Sequence, residues 1–168
     1  MHYRWLILTS LFLIIGCKLG VPPDRPQEVI EQADAIDTPS MRTALLSDGV
    51  NAIAAGTEDI WIATDKGCNH LDLRSHLWTS YTVEDGLANN NVSCVATDSD
   101  IVWFGTSSGV SKYDIKADKW SSYTRDDGLP SNRIRAIAVD GNYVWFGTDK
   151  GLSRYNKELD AWALRTTD

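Results

Sequence analysis

Hydrophobic and polar positions recur with a fixed period of 42 residues from Thr43 to Asp168. Trp61, Trp103 and Trp145 share one position of this repeat, and six of the seven tryptophans fall on two such positions. Seven positions are identical in all three copies, and in the first copy they are Leu45, Ala54, Trp61, Thr64, Gly67, Trp78 and Thr82. A constant period of this length indicates a repeat architecture, in which each copy is one supersecondary unit.

Each copy contains four short apolar segments separated by turn residues, which predict four strands. In the third copy these strands are Ile134 to Val139, Tyr143 to Thr148, Leu152 to Asn156 and a segment centred on Trp162. The second is almost continuously apolar, which indicates burial on both faces. A four-stranded meander repeated at this interval describes a β-propeller blade. The predicted fold class is therefore all-β, with three four-stranded antiparallel blades in an incomplete ring.

The second and third copies carry the motifs of a known repeat. Val102-Trp103-Phe104-Gly105-Thr106 and the linker Asp127-Gly128-Leu129-Pro130-Ser131-Asn132 resemble the two-component-regulator propeller repeat. The resemblance covers Thr43 to Asp168 and implies a module like the periplasmic sensor regions of bacterial hybrid histidine kinases. The first copy departs from the pattern, because Thr43-Ala44-Leu45 replaces the Asp-Gly-Leu linker. The sequence shows no kinase or DNA-binding segment, so we expect no signalling output of that kind.

Three blades leave two blade faces without a neighbour, because closed propellers contain four to eight blades. We expect these faces to carry Ile60, Ile62, Val144 and Phe146, and exposed apolar surface of this size marks an association site. Two interpretations stay open. The chain is a piece of a longer propeller, or two chains close a six-bladed ring in which the third blade of each meets the first blade of the other.

The N-terminal segment predicts export. Trp5 to Ile15 is apolar but too short to span a bilayer, so it is typical of a signal-peptide core. Ile14-Ile15-Gly16-Cys17 resembles the lipobox of bacterial lipoproteins, which implies cleavage before Cys17 and lipidation of that residue. The alternative is an uncleaved N-terminal anchor. Both interpretations place the rest of the chain outside the cytoplasm, in the periplasm or at the cell surface, and attach it to a membrane.

The predicted domain organisation follows from these segments. Residues 1–16 are the lipoprotein signal peptide, residues 17–42 are a proline-rich acidic tether, and residues 43–84, 85–126 and 127–168 are the three repeats. Prolines and like charges extend a linker, so the tether holds the blades away from the lipid surface. The net charge of −7 removes the electrostatic attraction to a phosphate backbone, so we expect no nucleic-acid partner.

Candidate binding residues lie in the turns between the second and third strands and in the linkers between blades, which share one face of the disc. We predict contacts to a small-molecule, glycan or peptide ligand from Asp85, Asn90, Asp127, Asn132, Arg133, Asp149 and Lys150. The alternative is that these residues form turns and caps. It is stronger for Asp85 and Asp127, because each precedes a glycine.

No motif points to a metal, a cofactor or catalysis. Asp98-Ser99-Asp100 lies in a hairpin too short to supply the oxygen ligands that calcium needs. His70 and His76 align with polar residues, so we expect both to be exposed, and packing is the expected role of Cys68 and Cys94. A disulfide between those cysteines stays open.

The sequence thus predicts an exported, lipid-anchored propeller that binds or senses a ligand, or docks a partner, and is not an enzyme. Two alternatives remain: a fragment of a propeller lyase or glycan hydrolase, and an assembly scaffold.

Overall fold

The computed structural model of this chain describes residues 45–165, which form three four-stranded antiparallel sheets in sequence order. The first blade contains β1 (Val50–Ala55), β2 (Asp59–Thr64), β3 (Gly67–Asp72) and β4 (Trp78–Tyr81). The second contains β5 (Val92–Asp98), β6 (Ile101–Thr106), β7 (Gly109–Asp114) and β8 (Lys119–Tyr123). The third contains β9 (Ile134–Asp140), β10 (Tyr143–Thr148), β11 (Gly151–Asn156) and β12 (Ala161–Arg165). A short 3-10 helix, Arg125–Asp127, lies in the linker before β9.

The all-β prediction of three meandering blades in an incomplete ring is confirmed. The predicted strands of the third copy agree with β9 to β11 within one residue, and β12 contains Trp162. The signal peptide, the tether and Cys17 lie outside the described residues. Within residues 45–165, no helix has the length and apolar character needed to cross a membrane.

The repeated threonine and glycine build the turn between the second and third strands of each blade. The Thr106 hydroxyl donates to the Gly109 carbonyl at 2.8 Å and accepts from the Ser108 amide at 3.1 Å. Gly109 has a φ of 131°, a left-handed value that glycine reaches without a Cβ penalty. Thr64 and Thr148 make the same hydroxyl-to-carbonyl bond in the other blades. These invariant positions therefore specify turn geometry.

The repeated tryptophan of the second strand joins one blade to the next. Trp61 is fully buried, and its ring centroid lies 5.5 Å from that of Phe104 on the second blade, with an edge-to-face angle of 70°. Trp103 repeats this contact with Phe146 of the third blade at 5.5 Å and 66°. Edge-to-face pairs of this kind add to the stabilisation from area burial. Two aromatic cores, one per junction, thus hold the three blades together.

The expectation that Val144 and Phe146 lie on an open face was wrong. Both are fully buried because they belong to the face of β10 that packs against the second blade. Ile60 and Ile62 do lie on a face without a neighbouring blade, where Ile62 is 8% exposed and Ile60 is half-buried. Alternation along a strand separates two faces, but both faces of these central strands are apolar, so the pattern does not say which face meets a neighbour.

Two sheet faces pack against no other described blade. The third-blade outer face carries Ala138, Trp145, Leu152 and Arg154, as the pairing of β9, β10 and β11 places them. The first-blade outer face carries Ile53, Ile60, Ile62, Leu71 and Trp78.

Candidate functional site

A bulge interrupts the first strand of every blade at the same repeat position. The pairing of β1 with β2 passes from Val50 to Ala52 and leaves out Asn51, and the pairings of β5 and β9 leave out Ser93 and Arg135 in the same way. These three residues are 42 positions apart. A bulge redirects a side chain away from the regular alternation and is common beside binding sites.

In the first two blades, the bulged side chain forms a hydrogen bond from the first, or inner, strand of its blade to the inner strand of the next blade. Asn51 donates through Nδ2 to the Val92 carbonyl at 2.8 Å, and Ser93 donates through its hydroxyl to the Ile134 carbonyl at 2.8 Å. The inner strands β1, β5 and β9 are neighbours, so the bonds form a short ladder across the blades. Arg135 holds the corresponding position in the third blade and is exposed.

A cleft of about 480 Å³ opens at this ladder. It is lined by Asn51, Asn91, Ser93, Ser107, Arg133, Ile134 and Arg135. Ser107 belongs to the turn between β6 and β7, and Arg133 directly precedes β9. The cleft therefore lies on the face that carries these turns and linkers. This is the face on which the sequence analysis predicted a ligand site.

The cleft concentrates positive charge in a chain whose net charge is −7. Arg133 and Arg135 are both exposed there. On the adjoining turn, a hydrogen bond from the Ser131 hydroxyl, helped by the charge of Arg135, lowers the pKa of the Asp149 carboxyl. Two guanidinium groups beside amides and hydroxyls form a donor-rich surface, which suits a carboxylate or another planar anion.

The predicted residues Asp85 and Asp127 serve as linker caps. A carboxylate oxygen of Asp85 accepts from the Thr82 amide at 2.8 Å, and that of Asp127 accepts from the Thr124 amide at 2.7 Å. In the second linker, the bond closes a capping box around the 3-10 helix. These bonds account for both carboxylates within the linkers.

Asn90 and Asn132 also fold the linkers. The side-chain oxygen of Asn90 accepts from the Val83 amide and that of Asn132 accepts from the Arg125 amide, both at 2.8 Å. The side chains of Asp149 and Lys150 are exposed on the turn between β10 and β11.

Of the predicted site residues, Arg133 lines the cleft. Ser107, in a turn that the sequence assigned to the same face, also lines it, whereas sequence reasoning missed Asn51, Asn91, Ser93 and Arg135 as site residues. A usable signal was the polar residue that directly follows the apolar first position of each inner strand.

The acidic hairpin at Asp98 and Asp100 is neutralised by lysines. Asp98 pairs with Lys157 of the third blade, and Asp100 pairs with Lys116, each at 2.6 Å. In the part of the chain that the structure describes, no group of three histidine, cysteine, aspartate or glutamate residues is arranged to hold a metal ion.

His70 is not exposed, contrary to the sequence prediction. Its ring stacks on Trp61 with centroids 4.2 Å apart, and its side chain is 16% exposed. Burial lowers the pKa of His70, although the charges of Asp59 and Asp72 oppose the shift. The ring therefore acts as a neutral packing group at the junction of the first two blades.

Cys68 and Cys94 pack as predicted. Both are free thiols, Cys68 is fully buried, and they contribute to different junction cores. Burial raises the pKa of both thiols, which makes them poor nucleophiles.

These blades and their cleft define a β-propeller module. Residues 128–150 match the family model described as two component regulator propeller, which confirms the resemblance predicted from the repeat motifs. No curated protein sequence matches the chain.

Solved structures with the same fold include two extracellular domains from B. thetaiotaomicron. That of BT3049, described as a hybrid two component system, has a TM-score of 0.66 and 20% identity over 75% of this chain and 19% of that chain. That of BT4673, described in the same way, has a TM-score of 0.63 and 20% identity over 74% of this chain and 18% of that chain. This chain therefore spans about a fifth of their length.

A computationally designed protein, Ika4, is similar over most of its own length. The TM-score is 0.58 with 18% identity, and the match covers 73% of this chain and 74% of that chain. At such identities, these likenesses establish the fold.

Proposed function

We propose that this chain contributes an exported β-propeller module that binds a carboxylate-bearing ligand in the cleft around Arg133 and Arg135. The observation that carries the proposal is the pair of arginines beside the bulged inner strands, in a cleft that amides and hydroxyls complete. Similarity to extracellular domains of two component systems supports a sensing or docking role outside the cytoplasm.

The ligand chemistry follows from the donors in the cleft. Guanidinium groups bind carboxylates through paired N–H donors, and charge-assisted bonds of this kind exceed neutral ones in strength. Asn91 and Ser107 add a neutral amide and a hydroxyl, which suit hydroxyl or peptide groups next to the charge. The fitting ligands are therefore acidic saccharides or acidic peptide ends.

Binding without catalysis is part of the proposal. The residues that line the cleft, among those the structure describes, include neither a carboxylate nor an imidazole to act as general acid or base. Incubation with an oligosaccharide of uronic acids, followed by mass spectrometry, is expected to return the substrate intact. Cleavage that depends on Arg133 or Arg135 would support the enzyme alternative instead.

Matched pairs of small probes test the ligand class. Glucuronic acid is compared with glucose, and N-acetylglycine with its neutral amide, by ligand-observed NMR on the full chain. We expect the carboxylate of at least one pair to bind about tenfold or more tightly than its neutral partner, since a charge-assisted bond contributes about 1.5–3 kcal/mol. The two pairs separate a saccharide ligand from a peptide ligand.

A double variant and a control locate the site. Arg133→Gln combined with Arg135→Gln is expected to abolish the preference for the carboxylate. Arg125→Gln alters an exposed arginine in the linker outside the cleft and is expected to retain it. Equal binding of charged and neutral probes, no binding of any probe, or equal loss in the control contradicts the proposal.

A further inference from the structure

We propose that the third-blade outer face binds the first-blade outer face of a second copy of this chain, so that two chains build a six-bladed ring. The proposal does not depend on the ligand. It rests on the two blade junctions inside the chain, which show what covers each kind of face.

Each internal junction joins two kinds of sheet face. The tryptophan side carries the second-strand tryptophan, and the receiving side carries the aromatic residues that this tryptophan contacts. At the first junction, Trp61 packs against Phe104 and Tyr113, with centroid distances of 5.5 and 5.8 Å. At the second, Trp103 packs against Phe146 and Tyr155 at 5.5 and 5.4 Å. Both tryptophans are fully buried by these contacts. The receiving side also contributes the tryptophan of its fourth strand, Trp120 or Trp162.

The third-blade outer face repeats the tryptophan side. Trp145 occupies the position of Trp61 and Trp103, and it is only half-buried. The guanidinium of Arg154 lies 5.4 Å from the Trp145 ring, as the Lys112 ammonium lies 5.5 Å from Trp103 inside the second junction. Arg154 thus contacts the Trp145 ring as Lys112 contacts the Trp103 ring at a covered junction.

The first-blade outer face repeats the receiving side with aliphatic substitutions. Ile62 stands where the other blades have phenylalanine, Leu71 where they have tyrosine, and Trp78 keeps the fourth-strand tryptophan. Ile53, at the position of the buried-face residues Val95 and Ile137, is 64% exposed. This surface is apolar apart from Asn69 and Ser80, which hydrogen-bond to each other, and its strand register is the one that a tryptophan side meets elsewhere in the chain.

The bulged residue of the third blade supplies a polar tie for the same junction. Asn51 and Ser93 each donate to the carbonyl of the first residue of the next inner strand. Arg135 follows them in the repeat, and the equivalent acceptor on the second copy is the carbonyl of Val50, a residue that is 42% exposed. The interface joins two different faces, and two chains give six blades, within the range of closed propellers.

Sedimentation of the full chain, in a mild detergent that covers the apolar N-terminal segment, tests the proposal. The wild-type chain is expected to form a dimer. Trp145→Glu alters the third-blade outer face and Ile53→Glu alters the first-blade outer face. Each variant is expected to raise the dimer Kd by about 30-fold or more, in the range of interface hot spots. Leu159→Glu changes a side chain that is 73% exposed in the turn before β12, and is expected to leave the dimer intact.

Mixing the two variants distinguishes this arrangement from other dimers. The Trp145→Glu chain keeps a native first-blade outer face, and the Ile53→Glu chain keeps a native third-blade outer face. An equimolar mixture is therefore expected to form a heterodimer joined by one native interface. Ile53 is exposed, so its variant folds even where Trp145→Glu does not, and circular dichroism monitors both. A monomeric wild type, a dimer insensitive to Ile53→Glu, absence of heterodimer on mixing, or equal loss in the Leu159→Glu control overturns the proposal.

Discussion

At the scale of single residues, the first blade lacks a tyrosine–aspartate hydrogen bond that the other two blades share, because both residues are different there. Tyr113 donates a hydrogen bond to Asp118 in the second blade, and Tyr155 donates one to Asp160 in the third. In the first blade these positions hold Leu71 and His76. The hydroxyl and its carboxylate acceptor are lost together, so neither is left without its partner, which costs little compared with removing one alone.

His70 is expected to make the stability of the first junction depend on pH. Burial lowers the pKa of His70 below its ordinary value of 6.5, so the unfolded chain takes up this proton at a higher pH than the folded chain. The free energy of unfolding is therefore expected to fall as the pH drops through about 6.5, and to be unaffected by this group above that value. Urea unfolding between about pH 8 and pH 5.5 measures the effect.

Two histidine variants separate this source from others. His70→Gln is expected to flatten the pH dependence in this window, whereas His76→Asn, which changes an exposed histidine, is expected to retain it. The interpretation fails where His70→Gln unfolds with the same pH dependence as the wild type.

At the scale of strands, one repeat position shows how a neighbouring blade restricts side-chain size. Gly105 and Gly147 are equivalent residues on β6 and β10. A Cβ on Gly105 would lie 2.6 Å from Cγ2 of Ile134 and would also overlap Sγ of Cys94. The nearest atom to a Cβ on Gly147 is Cβ of Ala136, at 3.7 Å. The same backbone position is therefore closed inside a junction and open on the outer face.

Alanine substitutions at these two glycines are expected to differ. Gly105→Ala is expected to lower the free energy of unfolding by about 1–3 kcal/mol, the usual cost of overpacking a core. Gly147→Ala is expected to change it by less than about 0.5 kcal/mol. Chemical denaturation of both variants measures the difference, and an equal cost at the two positions would contradict the described junction.

The strands were predictable because the repeat superposes three independent examples of each pattern. The turn at Gly151 and the limits of β10 follow from local chemistry alone. The face of β10 that is covered was not predictable, since Val144 and Trp145 are both apolar and only the stacking of sheets decides between them. The cleft was partly predictable: Arg133 belongs to a linker, but Arg135 reaches the cleft through a bulge that depends on strand pairing.

At the scale of the whole molecule, the proposed location depends on the N-terminal segment outside the described residues. Cys17 follows the apolar leader, and the proline-rich residues 18–42 separate it from the blades. A lipid on Cys17 would attach the propeller to a membrane through this segment. More than one acyl chain makes such attachment stable, at about 0.8 kcal/mol per buried methylene.

Lipid attachment is testable on the full chain in a bacterial host. Mass spectrometry is expected to show the loss of residues 1–16 and an acylated Cys17, and the protein is expected in the membrane fraction. Cys17→Ser is expected to move it out of that fraction or leave the leader uncleaved, whereas Cys94→Ser, a substitution in a junction core, retains the lipid. An unmodified N-terminus on membrane-bound wild-type protein would favour the uncleaved anchor.

The near-identity of the two junctions has an evolutionary consequence. Recombination that adds or removes one whole repeat still places a tryptophan side against a receiving side. This holds whatever the number of blades before or after the new junction. Ring size in such a lineage can drift without the invention of a new core, and selection then acts on the bulged positions, where Asn51, Ser93 and Arg135 already differ.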